Sequence, residues 1–558
     1  MKVLVCITAA LLLAKIATAL NRKLRIARGL APLTGPPGVW LLGNMPVYTK
    51  NRDRIYHFLE ELLKEHKGRM KMPWHLFFDG AIYVSSVLLQ YQENLLWWSA
   101  NRSLFVQITD PKDVQHILST NVNNYVKPQG FLDAFQEIFL NSFFALNHHP
   151  QAPDGGARWR LQRKVAAKVF TTANFRVFTE QVFARHADKT LASAQAGAIQ
   201  AEAREGDDQA TGGSFCCDMQ EISASYTLQS IFDVAFGLPL GEIEGTEDFA
   251  GHMGFVNEHC AQRLFVKQYY KMFRWFMPSE RELRRHTRAI HAVAESVLLR
   301  RLQESEEKVS SRSDLLSLFI CKARELAFDG KNGHDGPEVA SLLGPETLRS
   351  IILTFVFAGR DTTAECLTYA FYAIARHPRV QKRIVEELGS AKPNDDTPFT
   401  FDEVKHLRYL EAVVYETVRL YPALPYNVKN AVKDDYLPDG TFVPAGVDIV
   451  YSPWYMGRNG PLWGDDPLEF RPERWLEMAK RPSAYEFPAF QAGPRVCLGM
   501  KMAVLEAKLF LATTLLRFDV AIAPGEKHER GYMLKSGLFM GGGLPLQMTP
   551  RPRNAPPA

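Results

Sequence analysis

The chain has 558 residues, of which 46% are hydrophobic and 23% charged, and its formal net charge is +5. These proportions are ordinary for a globular protein, and so small a charge on so long a chain gives no case for nucleic-acid binding. Seven cysteines, an odd number scattered from Cys6 to Cys497, do not make a disulfide framework and fit a reducing, cytosol-facing environment.

The first acidic residue is Asp53. Val3 to Ala14 is an apolar run interrupted only by Thr8, and after Lys15 it resumes from Ile16 to Leu20. Read as one stretch it is just long enough to cross a bilayer, with Lys15 snorkelling, so residues 1–20 are expected to be a membrane anchor. Arg22, Lys23, Arg25 and Arg28 would hold the C-terminal side in the cytosol. An organelle transit peptide competes with this reading, because those are also basic and poor in acids. Residues 21–46 form a basic, proline-rich hinge around Pro32 to Gly38.

Leu104 to Thr109 reads as a strand. Asp110 follows as an N-cap with Pro111 at the first position of a helix through Leu118. Residues 346–376 form one apolar-rich helical run, and Val380 to Leu388 and Phe401 to Leu420 read as further helices. Strand signals return from Tyr436 to Tyr451, with Asp439-Gly440 as a hairpin turn. A last helix is expected from Met500 to Phe518, then a glycine-rich hairpin from Gly537 to Met548. Stretches 148–157, 192–214 and 328–344 read as surface insertions without a part in the chemistry. Gly80 to Ala100, with Trp97 and Trp98, is open to three readings: a membrane-dipping element, a buried hairpin, or an error in the gene reading.

Residues 490–499 read Phe490-Gln491-Ala492-Gly493-Pro494-Arg495-Val496-Cys497-Leu498-Gly499. A cysteine thiolate is one of the few protein ligands that hold haem iron while pushing electron density toward it. Gly493 and Gly499 would let the backbone pass close to a flat macrocycle, and Arg495 would meet a propionate as a charged fork. Phe490 would cover the sulfur, and the helix after Cys497 would aim its first N–H groups at the thiolate. Five fixed positions of this kind arise by chance in roughly one chain in ten thousand, so this string by itself points to a family. It is the signature of the cytochrome P-450 superfamily, which the chain strongly resembles.

The resemblance implies a mainly α fold with small β-sheets (α+β), helix-rich around a buried haem. It covers about residues 35–550, with 47–558 as the catalytic domain. Within the 346–376 helix, Ala358-Gly359-Arg360-Asp361-Thr362-Thr363 supplies what oxygen activation needs. Gly359 would leave room for dioxygen, Thr362 a hydroxyl for the proton-delivering water, and Asp361 a relay of protons from solvent. Glu416, Arg419 and Arg474 would form a buried charge network that locks the segment before the cysteine loop. Trp159 and Arg163, on one helical face, and Lys429 would meet the haem propionates.

The implied activity is that of a haem-thiolate monooxygenase inserting one atom of O2 into a hydrophobic substrate. Its cofactor would be haem b (iron protoporphyrin IX), bound non-covalently. NADPH would supply electrons through a separate NADPH–cytochrome reductase, with cytochrome b5 as a second candidate partner. Only about forty residues follow the cysteine helix, which leaves no room there for a reductase domain. Arg158, Arg160, Lys164 and Lys501 would steer an acidic partner, or form an ordinary solvated face. Membrane lipid would be the other partner, with the chain single-pass in the endoplasmic reticulum and the catalytic domain cytosolic; mitochondrion or plastid is the alternative.

The wording of residues 358–363, 437–446 and 463–475 resembles the plant, algal and fungal fatty-acid ω-hydroxylases. Ala358 stands where animal ω-hydroxylases carry a Glu that esterifies the haem. Pro425 to Lys429 departs from that branch's more acidic wording in a loop lining the substrate channel. Rival readings are a haem-thiolate hydroperoxide isomerase or dehydratase, a monooxygenase of another lipid (alkane, sterol, terpenoid), and a non-catalytic haem or lipid carrier. Asp361 together with Thr362 argues against the isomerase, which has no use for proton delivery to dioxygen.

Overall fold

The computed structural model describes residues 105–139, 141–150, 152–205, 213–243, 245–266, 274–328, 343–392 and 397–551, with 51, 54–66, 70–71 and scattered residues between 14 and 33. Most of the expected anchor, the hinge beyond residue 33, the 80–100 segment and most of 328–344 lie outside the described residues. Among the described residues no helix is long and apolar enough to cross a membrane.

Helices dominate. Those that build the site are α1 (Ile55–Glu65), α2 (Pro111–Gln115), α3 (Ala157–Val169), α4 (Met219–Phe236), α5 (Phe249–Val266), α6 (Pro345–Arg376), α7 (Arg408–Leu420) and α8 (Met500–Arg517). At 32 residues α6 is about 48 Å long. It starts with Pro345 at its first position, where the missing N–H costs nothing. Residues 350–357 and 363–374 of α6 are buried, and α4, α7 and α8 pack against it. One large apolar core surrounds these helices, and a second lies under the main sheet.

Strands are short: β1 (Met70–Lys71), β2 (Phe105–Ile108), β3 (Tyr125–Val126), β4 (Phe215–Asp218), β5 (Asn427–Ala431), β6 (Asp435–Tyr436), β7 (Phe442–Val443), β8 (Asp448–Tyr451), β9 (Phe518–Ile522), β10 (Tyr532–Leu534), β11 (Leu538–Met540) and β12 (Pro545–Pro550). The largest sheet has the order β1-β2-β8-β5-β3, with β2 and β8 parallel and the other pairs antiparallel. Small sheets in a helical frame give the expected α+β class.

Local signals held where the chemistry is local. Asp110 Oδ1 accepts from the Lys112 N–H at 2.8 Å, with Pro111 next to it. Gly440 takes φ +86° between β6 and β7, as a hairpin turn requires. Elsewhere tertiary partners moved the boundaries. The helix after Asp110 gives way at His116 to a wider π turn through Thr120. The expected 401–420 helix is two, Phe401–His406 and α7, with Leu407 turning between them. The cause is Glu387 of a neighbouring helix, whose carboxylate accepts from the N–H groups of Tyr409 and Leu410 and so caps a second helix start. The expected 537–548 hairpin is also displaced. β10 pairs with β11, while β12 joins β4 and β9 in a separate three-stranded sheet. Residues 192–205 continue a helix that begins at Ala184, so that insertion is helical in its first part.

Candidate active site

The cysteine loop is held from several sides. Cys497 N–H donates to the Phe490 carbonyl at 2.8 Å, closing the loop on itself. Phe490 is partly buried against the main core. Gln491 has φ +61° and ψ −176°, a conformation that few residues other than glycine adopt. Its side chain repays the strain through two bonds to the main sheet: Oε1 accepts from the Tyr451 hydroxyl, and Nε2 donates to Asn427 Oδ1. Gly493 has φ +62°, and a Cβ there would sit 2.0 Å from the Leu118 carbonyl oxygen. Its glycine requirement therefore comes from the π turn behind it. A Cβ at Gly499 would meet only Cys497 Sγ, at 4.0 Å, so this glycine keeps the space around the sulfur open.

Cys497 itself is exposed. Enough protein surrounds the thiol for burial to push its ionisation up, while the N–H of Gly499, the Arg163 charge and the N–H of Met500 pull it down. Those N–H groups belong to the start of α8. Arg163, on α3, donates to the carbonyls of Val496 at 2.8 Å and Pro494 at 3.1 Å. It thus clamps the cysteine loop.

Beyond the loop, positive charge collects without counter-charge. Arg495 donates to His148 Nδ1 at 3.1 Å and to the Leu146 carbonyl at 2.5 Å, and stacks over Trp159 at 4.8 Å. Burial, then Arg163, brings its ionisation down to about 9. Lys429 of β5 is pulled down to about 7 by burial and Arg495. Lys127 is lowered by burial, Arg495 and Lys429, and its ammonium lies 3.4 Å over the Phe144 ring. No carboxylate of the described residues contributes to any of the three. The indole N–H of Trp159 is buried and has no acceptor. Desolvated cations that repel one another and an orphaned donor make a receptor for anions.

His148 corrects the reading of 148–157 as a surface insertion. The residue is 5% exposed, its Nε2 donates to the Val122 carbonyl at 3.0 Å, and burial and Arg495 push its ionisation down to about 4. It is therefore a neutral acceptor that orients Arg495. Lys127 carried no sequence signal, since the cations it joins, Lys429 and Arg495, come from 300 and more residues away.

The other wall is the middle of α6. Ala358 is exposed and residues 359–362 half-buried, in a helix otherwise buried for most of its length. Thr362 Oγ1 donates to the Ala358 carbonyl at 2.7 Å, a back-bond that leaves its lone pairs free to accept. A Cβ on Gly359 would lie 2.6 Å from Ile231 of α4, so its glycine is required by the close helix crossing. Asp361 is raised by burial and held down by Arg360 and by Asn257, whose Nδ2 donates to it at 2.5 Å. Asn257 Oδ1 in turn accepts from the Ser536 hydroxyl at 2.7 Å. Thr362→Ala should go on consuming reducing equivalents while releasing hydrogen peroxide in place of product. An unchanged ratio of product to electrons consumed would remove Thr362 from proton delivery.

Glu416, Arg419 and Arg474 meet in a buried network. Arg419 Nε lies 2.8 Å and Arg474 Nε 2.9 Å from the Glu416 carboxylate, which also accepts from Trp475 Nε1 at 2.9 Å and the Arg471 N–H at 2.8 Å. Arg419 further grips the carbonyls of Gly457, Pro467 and Glu469. This fastens α7 to the segment that leads into the cysteine loop.

A thiol presented by helix N–H groups beside a cradle of unpaired cations, with a hydroxyl and an acid on a long helix, defines a haem-thiolate oxygenase site. Residues 33–542 match Cytochrome P450, and the chain belongs to that family. Cytochrome P450 704C1 of Pinus taeda is 34% identical over 474 residues, 80% of this chain and 85% of that protein. Cytochrome P450 CYP94D109 of Paris polyphylla is 31% identical over 463 residues (79% and 84%), and Cytochrome P450 94A1 of Vicia sativa 30% over 457 (79% and 81%). The chain is a P450 monooxygenase, an oxidoreductase of a family that uses haem, an external electron supply and hydrophobic substrates. The residues present fit a haem: Cys497 is available as its axial ligand, and Arg495, Lys429, Lys127 and Trp159 have the charge and donors that two propionates lack.

Proposed function

We propose that this enzyme hydroxylates long-chain fatty acids at or near the terminal methyl, using non-covalent haem b and electrons from NADPH through a separate reductase. When bound, the haem supplies oxygen activation, with the thiolate as electron donor to the iron. The protein's own residues bind and orient, exclude water and handle protons. Phe355 and Phe357 immediately precede the accessible stretch of α6. Phe355 packs on Phe143 and Phe170, and Phe357 on Phe139. This aromatic surround of a half-open helix face carries the reading, because it suits an alkyl chain and offers little to a polar substrate. Primary C–H bonds are harder to break than secondary ones, so terminal attack also needs steric restraint.

Leu424, in the loop before β5, and Phe539, in β11, adjoin one another through the Leu538 N–H, which donates to the Ala423 carbonyl at 2.9 Å. Tyr426 stacks on Tyr56 at 5.6 Å within an aromatic cluster with Trp454 and Tyr532. Ala358 in place of a carboxylate supports a haem without an ester link. Exposed Arg160, Lys164, Lys168 and Lys501 beside the cysteine loop suit an acidic reductase surface. The apolar N-terminal run supports single-pass attachment to the endoplasmic reticulum. Trp275 and Phe276, 64% and 77% exposed, support contact with membrane lipid.

The test is product analysis on a panel of fatty acids, alkanes and sterols with reconstituted reductase. Long-chain fatty acids should give mainly terminal or near-terminal alcohols, and Phe539→Ala should shift attack inward. Oxidation of sterol rings with no activity on any alkyl chain would defeat the substrate assignment. The same full chain, expressed with a C-terminal fluorescent tag, should mark the endoplasmic reticulum; a mitochondrial or plastid signal would overturn the location.

A further inference from the structure

One buried acid near the site has no part in the chemistry so far. Glu365 lies on α6 one turn after Asp361, 4% exposed, on the same face of the helix. Its carboxyl accepts from Gln220 Nε2 of α4 and from the Met540 N–H of β11, each at 3.3 Å. Neither donor carries charge. The charged and titratable groups facing it are Asp361 one turn before, Tyr369 one turn after, and Lys535 from the β10–β11 turn, which forms its own ion pair with Glu258 at 3.8 Å. Burial and the neighbouring acid favour the protonated form of Glu365, and the two N–H donors, with Lys535, offset them only in part.

We propose that Glu365 is a positioning residue for proton delivery, holding a second proton beside Asp361 and returning it when Asp361 gives up its own. The inference rests on the reading of Asp361 as the relay. In the step, the Glu365 O–H bond breaks, the proton passes to the Asp361 carboxylate, and the Glu365 carboxylate that remains is held by the Gln220 and Met540 N–H groups until solvent reprotonates it. The two acids titrate as a pair. Burial is the main cause that raises Glu365 to about 8, and Asp361 adds to it. The proton is therefore present at neutral pH and lost as pH rises through that value, its occupancy falling about tenfold per pH unit above it. Ser536 and Asn257 fasten the same β10–β11 turn to Asp361, so both acids of the pair are tied to one hairpin.

The experiment measures product formed per NADPH between pH 6.5 and 9.5 for the full-length enzyme with reductase, for Glu365→Gln and for Asp361→Asn. Each variant is first shown to give the thiolate-type spectrum of its reduced CO complex. Wild type should lose coupling and release hydrogen peroxide as pH rises through about 8. Glu365→Gln, which keeps an amide in place but has no proton to lose, should be several-fold less coupled at pH 7 and show no break. A Glu365→Gln enzyme with the wild-type coupling and break would overturn the inference and leave Asp361's role standing. An Asp361→Asn enzyme with wild-type coupling would overturn both. If Glu365→Gln does not fold, Gln220→Leu supplies the second variant. With one anion-stabilising donor removed, its break should move to higher pH, and an unmoved break would count against the proposal.

Discussion

Cys497→Ala should abolish monooxygenase turnover and remove the thiolate-type spectrum of the reduced CO complex, because the loop offers the iron no second thiolate. Among the described residues the other cysteines lie at 216, 217, 260, 321 and 366, none of them in this loop. Cys260 and Cys366 are buried, and burial pushes their thiols well up, which is the environment of an inert cysteine. Cys497 differs in being exposed, with Gly499, Met500 and Arg163 all favouring its charged form. The fold should survive the substitution, since the loop is closed by backbone bonds and by Gln491, neither of which uses the sulfur. Retention of the spectrum by the variant would mean that another residue is the ligand.

Glu416→Gln should strongly destabilise the fold. It leaves Arg419 and Arg474, both almost wholly buried, facing each other with one neutral oxygen between them. Breaking a buried pair from one side typically costs about 3–5 kcal/mol, a large part of a domain's total stability. The network ties α7 to the segment entering the cysteine loop, so haem retention should fall with stability. Thermal unfolding followed by the haem absorbance measures both. Asp402→Asn, which cuts the exposed pair with Arg176 at 2.7 Å, serves as the control and should leave the midpoint nearly unchanged. Equal, small shifts in the two variants would show that Glu416 is not a structural keystone.

The sequence by itself determined what depends on few, near neighbours. The cysteine string named the ligand and family, since thiolate ligation needs particular residues at fixed spacing. Asp110-Pro111 marked a helix start, Asp439-Gly440 a turn, and the apolar run after residue 345 a buried helix, each because the governing hydrogen bond or φ angle lies within a few residues. What the tertiary structure decided was every feature whose partner is remote. Glu387 split the helix at Leu407, and pairing with β4 and β9 drew β12 away from the last hairpin. Gly493 and Gly359 answer to Leu118 and Ile231, which local reasoning could not supply. The anion cradle draws Lys127, His148, Lys429 and Arg495 from four separate segments, and only the fold brings them within reach of one another. Desolvation and mutual repulsion act through space, so a charge that reads as an ordinary surface lysine along the chain becomes a receptor once burial removes the water around it.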